Sequence, residues 1–505
     1  MTRLVICCDG TWNSPEQEEG GLPAPTNVVR LKGSLAGVGP DGQPQLAYYR
    51  FGVGTSGGPL RRLREGGLGT GLGEDIKSAY YWLATTWKSG DELFFFGFSR
   101  GAYAVRSLAG MMGRCGLLNL DDVLSESARW DRVDAAYAAY RHLPPGQPWD
   151  TPLPRRRDVP IRFMGVWDTV GALGIPQDFG INLMRRVRSH RFHDTQLGKE
   201  VQTARHALAI DERRQSFSPT LWQGHAADRD IRQLWFPGVH SDVGGGYRER
   251  GLGDVSLRWM IDEAAACGLG FDPKALAQIA PNPQGIRHRS ARGIFAVLGR
   301  QRPRAVPRLG AACDAVHPCV QARRDNPPLD QPDYWPERSL ETPVTIPIFA
   351  RERWNVTGIW LQAGQRYRFD AEGEWLDLTI PCTPAGPSPG LKPGKAIWAL
   401  SAPANALQDW LRRRPGNGSA VVWGARRQAR LPWLSLVGIV ANGLGADAER
   451  GKVIPHETLA IGAGGVFSPR KSGYLYCYGN DVWSFYGNNR GKVMLPVTRL
   501  DPGVA

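Results

Sequence analysis

The run Glu92-Leu-Phe-Phe-Phe96 leads straight into Gly97-Phe-Ser-Arg-Gly101, where helical spacing of apolar residues begins and continues to about Gly113. An apolar run of strand length, a tight turn and a helix make a strand–turn–helix unit. In a G-x-S-x-G turn the serine hydroxyl is thrust out at the end of a sheet, and a flanking side chain would clash in so sharp a bend. The pentapeptide alone is a weak signal, because Gly54-Thr-Ser-Gly-Gly58 fits it too. Only Ser99 follows a buried strand and opens a helix; Ser56 lies in a glycine-rich stretch from Gly52 to Gly73. The competing role for Ser99 is to cap the helix after it.

The surroundings extend this unit into a fold. Residues 3–8 read as a buried strand, Gln45–Phe51 as a looser one, and Glu74–Lys88 as an amphipathic helix. Further buried strands are expected at Ile161–Trp167 and Ile231–Phe236, separated by helical stretches. Such alternation predicts an α/β fold, a mostly parallel sheet with helices on both faces. From Ile286 to Arg308 the chain turns basic and proline-rich, with six arginines between Arg287 and Arg304 and no acid. These arginines read as decoration of a loop. Beyond about Glu341, short alternating strands such as Gly364–Phe369 and Gly473–Tyr478 lie between Gly/Pro-rich turns, the pattern of a small antiparallel sandwich of jelly-roll type. The expected division is a catalytic domain over 1–340 and a β domain over 341–505.

Composition narrows the class. Of 505 residues 42% are apolar, ample for a core, and no run approaches about 18 apolar residues; Leu431–Ala441 reads as buried strand. Thr2–Cys8 runs directly into Asp9-Gly10 without a long apolar region or cleavage site. Synthesis in the cytoplasm is expected, with any export by a route that needs no cleaved signal. Eight cysteines without a C-x-x-C pair read as free thiols. The net charge of +14 suits an anionic partner. The basic residues do not interleave with aromatics in a nucleic-acid motif, so no nucleic acid is expected. Leu183–Phe192 mixes apolar and basic residues at helical spacing, as a segment lying on an anionic bilayer would, although an ordinary solvated helix face has the same pattern.

A serine nucleophile needs a base, and the base an orienting carboxylate, in the chain order Ser, acid, His. His240 stands on the glycine-rich segment Trp235–Tyr247, after the strand Ile231–Phe236. Its main competitor is His206, in a stretch read as helical. Asp168 ends the strand Ile161–Trp167, where a carboxylate could orient a histidine. Asp211, after the same helical reading, and Asp242, two residues past His240, are alternative acids. The backbone N–H of Arg100 would supply one oxyanion donor, with a second from Gly10 or Thr11, while Asp9 could brace that loop. This chemistry requires no metal.

Five motifs then occur in order: Asp9-Gly-Thr-Trp-Asn13, Gly97-Phe-Ser-Arg-Gly-Ala-Tyr103, Val166-Trp-Asp-Thr-Val170, Arg205-His-Ala-Leu-Ala-Ile-Asp-Glu212 and Phe236-Pro-Gly-Val-His-Ser-Asp-Val-Gly-Gly-Gly-Tyr247. Together they resemble the α/β-hydrolase domain of unknown-function family 2235, which includes the first family of type VI secretion lipase effectors. The resemblance covers about residues 1–340. It implies a Ser–Asp–His phospholipase with Ser99, Asp168 and His240 at the matching positions. It also implies delivery by a type VI secretion tip protein into the periplasm of a target cell, a phospholipid membrane as substrate surface, and a cognate immunity protein. The C-terminal part resembles bacterial galactose-specific, calcium-dependent lectins, most clearly at Tyr478–Asn489. That resemblance implies Ca²⁺ ligands at Asp481, the Phe485 carbonyl, Asn488 and Asn489, whereas a plain Asn/Asp/Gly turn would look the same. The sugar-holding His and Gln of such lectins have no match in Cys382–Lys395. Two other functions remain open: a cytoplasmic esterase for a small soluble ester, and a carbohydrate- or surface-binding protein with an incidental triad.

Overall fold

A computed structural model describes residues 1–10, 16–52, 70–123, 125–144, 147, 149–170, 197–223, 229–290, 301–331, 333–387, 403, 406, 410, 426–447 and 452–501. Thr11, Ser56 and the basic stretch Leu183–Phe192 lie outside these residues.

The N-terminal half is built on β1 (Arg3–Cys8), α1 (Asn27–Gly33), β2 (Gln45–Arg50), α2 (Thr70–Thr86), β3 (Glu92–Phe98), α3 (Arg100–Cys115), α4 (Glu126–His142), β4 (Ile161–Trp167), β5 (Val201–Ala209), β6 (Asp230–Phe236), α5 (His240–Gly244) and α6 (Gly251–Ala266). Its six-stranded sheet has the order β6-β5-β4-β3-β1-β2, and every pairing is parallel. Both faces are covered, as a parallel sheet requires. The alternation of β1 shows how: Leu4, Ile6 and Cys8 pack with Tyr80 of α2 and Val105 and Leu108 of α3. Val5 and Cys7 face the other way, onto Val28 and Leu31 of α1 and Leu257 and Met260 of α6. Adjacent Cys7 and Cys8 therefore sit in different cores, and all eight cysteines are free thiols.

One expectation is corrected. Residues 201–209 form the strand β5, paired between β4 and β6, and not a helix. His206 is therefore a sheet residue, and Asp211 follows a strand. Polar side chains inside this strand are accommodated individually: Arg205 reaches Glu263 at 2.6 Å and Asp230 at 2.8 Å.

The C-terminal part comprises β7 (Val344–Phe349), β8 (Asn355–Leu361), β9 (Tyr367–Asp370), β10 (Glu372–Asp377), β11 (Ile380–Thr383), β12 (Gly386–Pro387), β13 (Leu436–Ala441), β14 (Glu457–Leu459), β15 (Gly464–Phe467), β16 (Gly473–Gly479) and β17 (Asn489–Arg499). One sheet runs β12-β11-β10-β17-β9-β15 with β7 also on β17; the other runs β8-β16-β13-β14. Ile346, Phe369, Trp375, Val493 and Leu495 of the first sheet meet Leu436, Val440, Leu475 and Cys477 of the second in one core. This is the expected antiparallel sandwich. Among the described residues no helix is long and apolar enough to cross a membrane.

Candidate active site

Register brings the first two candidates together. Phe98 of β3 pairs with Trp167 of β4, so the next residue of each strand, Ser99 and Asp168, emerges at the same C-terminal sheet edge. The Ser99 N–H donates to the Trp167 carbonyl at 3.0 Å, and the Asp168 N–H to Ala207 at 2.7 Å. Ser99 has φ 57 and ψ −120, and Asp168 has φ 38. Non-glycine residues in such conformations cost on the order of 1–3 kcal/mol each and cluster at functional sites. The Ser99 side chain makes no cap bond to α3, so the capping role is not the one it plays. A Cβ on Gly101 would lie 2.1 Å from the Cys8 carbonyl, so α3 can seat against β1 only if that position is glycine.

His240 opens α5, four residues past the end of β6. Its Nδ1 meets Asp168 Oδ2 at 2.5 Å, and both side chains are buried. An ionised Asp168 only accepts, so Nδ1 carries the proton and Nε2 keeps its lone pair. The imidazole lies against Phe98, the residue before Ser99, at 4.6 Å between ring centres, and meets the Phe217 ring edge-on at 4.8 Å. Gly244 is pressed onto the Phe98 ring, which holds α5 at the serine turn. Burial lowers the His240 pKa, outweighing the opposing effect of Asp168, so the ring is neutral near pH 7.

The rivals are engaged elsewhere. His206 Nε2 accepts from the Thr169 N–H at 3.1 Å while Nδ1 faces Gln233 Oε1 at 3.3 Å, so its lone pair is occupied. Burial pushes its pKa down to about 3. Asp211 accepts from the Gly238 N–H, Tyr334, Trp335 and Arg287. Asp242 holds His288 Nδ1 at 2.6 Å and the Val239 N–H at 2.9 Å. Neither acid is bonded to His240. Arg100 is the first residue of α3, where N–H groups have no acceptor within the helix. The Gly10 N–H, a candidate second donor, is already engaged by Asp9 Oδ1 at 2.7 Å. Asp9 braces its loop as expected, accepting from Thr26 at 2.6 Å and Tyr49 at 3.0 Å.

A family model described as the catalytic domain of Tle1-like phospholipase effectors of the type VI secretion system matches residues 2–263. The chain belongs to this family. A curated relative of this Tle1-like chain, an uncharacterized protein YEL023C of Saccharomyces cerevisiae, is 28% identical over 434 residues, covering 58% of this chain and 60% of its own length. The chain thus spans about three fifths of that relative. Three solved structures are similar at low identity. An uncharacterized protein from Pseudomonas aeruginosa has a TM-score of 0.34 at 18% identity, covering 56% of this chain and 49% of that one. The Tle1 effector bound to the VgrG spike has 0.29 at 21% identity, covering 49% and 51%. The PllA-like lectin domain of EclA has 0.20 at 16% identity, covering 31% and 95%.

Sequence reasoning missed the group that holds Asp168 in this Tle1-like site. Arg304 Nη1 lies 2.6 Å from Oδ1 and Nη2 2.9 Å from Oδ2. Burial favours the protonated acid, but Arg304 and His240 together keep Asp168 ionised, well below the usual carboxylate range. The described arginines of the basic segment are therefore not all loop decoration: Arg304 is buried, Arg287 pairs with Asp211, and Arg308 pairs with Glu337. Also missed was Glu212, buried beside the site, which accepts from the His240 N–H at 3.3 Å and pairs with Arg214. Composition marks these arginines only as a basic run, without their partners.

The lectin-like turn offers a separate oxygen cluster. Asp481 and Asn489 are buried and bonded to each other at 2.9 Å, and Asn488 donates to Asp377 at 2.9 Å. The side-chain oxygens of Asn488 and Asn489 are buried without a hydrogen-bond partner. The Phe485 carbonyl already accepts from the Asn488 N–H at 3.1 Å. Orphaned amide oxygens beside carboxylates suit a hard cation, so Asp481, Asn488 and Asn489 could hold Ca²⁺.

Proposed function

We propose that this chain is a phospholipase A that hydrolyses an acyl ester of membrane glycerophospholipids. The observation that carries the reading is the buried Asp168–His240 pair beside the strained Ser99 turn. His240 Nε2 takes the Ser99 proton as Oγ bonds to the acyl carbon. The imidazolium then protonates the departing lysolipid oxygen, leaving an acyl-enzyme. Water attacks that ester, returns its second proton through His240 to Ser99, and the fatty acid leaves. The Arg100 N–H stabilises the oxyanion formed in each half.

Family membership supports an antibacterial effector role at the membrane of a target cell. The VgrG-bound relative supports a secretion-tip partner. Fatty-acid release from phosphatidylethanolamine/phosphatidylglycerol vesicles tests the activity. Ser99→Ala is expected to lower the rate at least about a thousandfold; equal rates would refute the assignment. For the β domain, the two orphaned amide oxygens favour a structural Ca²⁺. Millimolar Ca²⁺ should raise the melting temperature of the full chain, and Asn489→Ala should abolish that rise. An unchanged melting curve with calcium would remove the ion from this account.

A further inference from the structure

We propose that Arg304 is a positioning residue for the hydrolytic reaction and that the β sandwich holds it in place. This inference rests on the reading of Asp168 and His240 as the acid–base pair of a serine hydrolase.

A carboxylate on a single Cβ turns easily about χ2. In this site it has no freedom to do so. The two terminal nitrogens of Arg304 meet both Asp168 oxygens, and this fork defines the carboxylate plane as a point charge would not. The Ala209 N–H gives the carboxylate a third bond, its second at Oδ1, at 3.0 Å. Oδ2 is thereby left facing His240 Nδ1. Arg304 is itself oriented by the carbonyls of Ala209 at 2.7 Å and Phe217 at 2.6 Å.

No helix or strand of the catalytic sheet carries Arg304. It lies on a strap, Gln301–Arg304, held between the two parts of the chain. On the catalytic side Gln301 bridges Arg214, and the Arg302 N–H donates to Arg213 at 2.6 Å. On the sandwich side the Trp354 indole donates to the Gln301 carbonyl at 3.0 Å. The Arg302 guanidinium donates to the carbonyls of Gly443, at 3.2 Å, and Ile454. His456 accepts from the Gly443 N–H at 2.9 Å, which makes its other nitrogen the donor to the Pro303 carbonyl at 2.8 Å. The sandwich loop is pressed close: a Cβ on Gly445 would stand 2.5 Å from the Pro219 carbonyl, two residues past Phe217. The chain of contacts runs from sandwich to strap to carboxylate to imidazole.

Two consequences separate this role from simple packing. The fixed plane sets the turnover step and leaves substrate binding alone. The guanidinium also shares the charge of Asp168, so its removal concentrates that charge on the imidazole and makes His240 easier to protonate. The charged groups facing His240 are Asp168, Glu212 and Arg214, while Asp242 is bound to His288; those facing Asp168 are Arg304, His240, Arg214 and the nearby His206, and Arg304 also acts on Glu212.

The test uses the full chain on phospholipid vesicles, with kcat and KM followed against pH and folding checked by circular dichroism. Arg304→Met is expected to lower kcat by about tenfold to a hundredfold with little change in KM. It should also move the acid limb of kcat/KM upward by about one pH unit. Arg304→Lys restores the charge without the fork, so the acid limb returns towards the parent's while kcat stays low. This variant keeps the test open if the methionine form does not fold. His456→Leu, which removes the bond to the Pro303 carbonyl together with the one from Gly443 within the sandwich loop, should lower kcat with KM unchanged. A folded Arg304→Met with the parent's kcat and acid limb overturns the positioning role. A lysine form whose limb moves as far as the methionine form's overturns the charge argument. A His456→Leu enzyme with the parent's kcat overturns the part given to the sandwich. The same series includes Ser99→Ala: if that variant stays active the hydrolase reading itself fails, whereas an inactive Ser99→Ala beside a normal Arg304→Met refutes only this inference.

Discussion

His206 and His240 are both buried histidines within one site, and the difference between them is what each nitrogen touches. His240 donates through Nδ1 to an anion, which leaves the lone pair on Nε2, whereas both nitrogens of His206 are committed to Thr169 and Gln233. His206 should therefore be read in stability and not in turnover. Its pKa is about 3 in the folded chain against about 6.5 when exposed. Below pH 6.5 the unfolded chain takes up a proton that the native state refuses, so this contribution is complete above 6.5 and is lost as pH falls towards 3. The slope is about 1.4 kcal/mol per pH unit in that window. Urea unfolding at pH 7.5, 6 and 5 should show the loss, and His206→Gln should be less stable at pH 7.5 but fall less steeply on acidification. Parallel slopes for the two chains would mean that another group controls acid sensitivity.

The strands β1, β3 and β4 are legible in the sequence almost to their ends because each is a mostly apolar run closed by a turn or a polar residue; β6, Asp-Ile-Arg-Gln-Leu-Trp-Phe, is half polar and lies at the sheet edge, so of the buried strand expected there only Trp235 and Phe236 are buried. β5 was not legible. Val-Gln-Thr-Ala-Arg-His-Ala-Leu-Ala is rich in helix formers, and it is a strand only because Glu263, Asp230, Thr169 and Gln233 satisfy its arginine and histidine from other parts of the chain. Tertiary partners overrode local preference. The same reasoning applies to the candidate site: Ser99, Asp168 and His240 stand out in the sequence because each ends or follows a strand. Arg304 does not, since an Arg/Pro run without periodicity carries no sign of where a side chain goes. Where the local pattern is strong, its steric demand can be tested. Gly101 at the head of α3 lies under the Cys8 and Asp9 carbonyls, with no flexible side chain to move aside. Gly101→Ala should cost about 3 kcal/mol and lower the melting temperature by several degrees, whereas Gly33→Ala, with open space around it, should leave it nearly unchanged.

Two domains joined by a linker usually meet at a modest, polar interface and move against each other. The contact in this chain is of another kind. Tyr474 and Tyr476 of β16 and Ala441 of β13 belong to the same apolar cluster as Val306, Leu309, Tyr334 and the α6 residues beneath the catalytic sheet. The Tyr474 hydroxyl accepts from the Leu309 N–H at 2.8 Å and donates to Glu337 at 2.5 Å, so the two parts share hydrogen bonds as well as apolar surface. A core that crosses the boundary couples the unfolding of the two sides, because opening either one exposes the other's apolar face. Calorimetry of the full chain should give a single transition. Tyr474→Ala removes a buried aromatic ring and should lower that transition as one peak, by about 3–5 kcal/mol of stability. Residues 1–340 alone would expose Val306, Leu309 and Tyr334, and should be recovered as aggregate or as a chain open to protease. Two resolved transitions, or a well-folded 1–340 fragment, would show instead that the sandwich is an appended module and that the shared cluster contributes little to holding the catalytic half together.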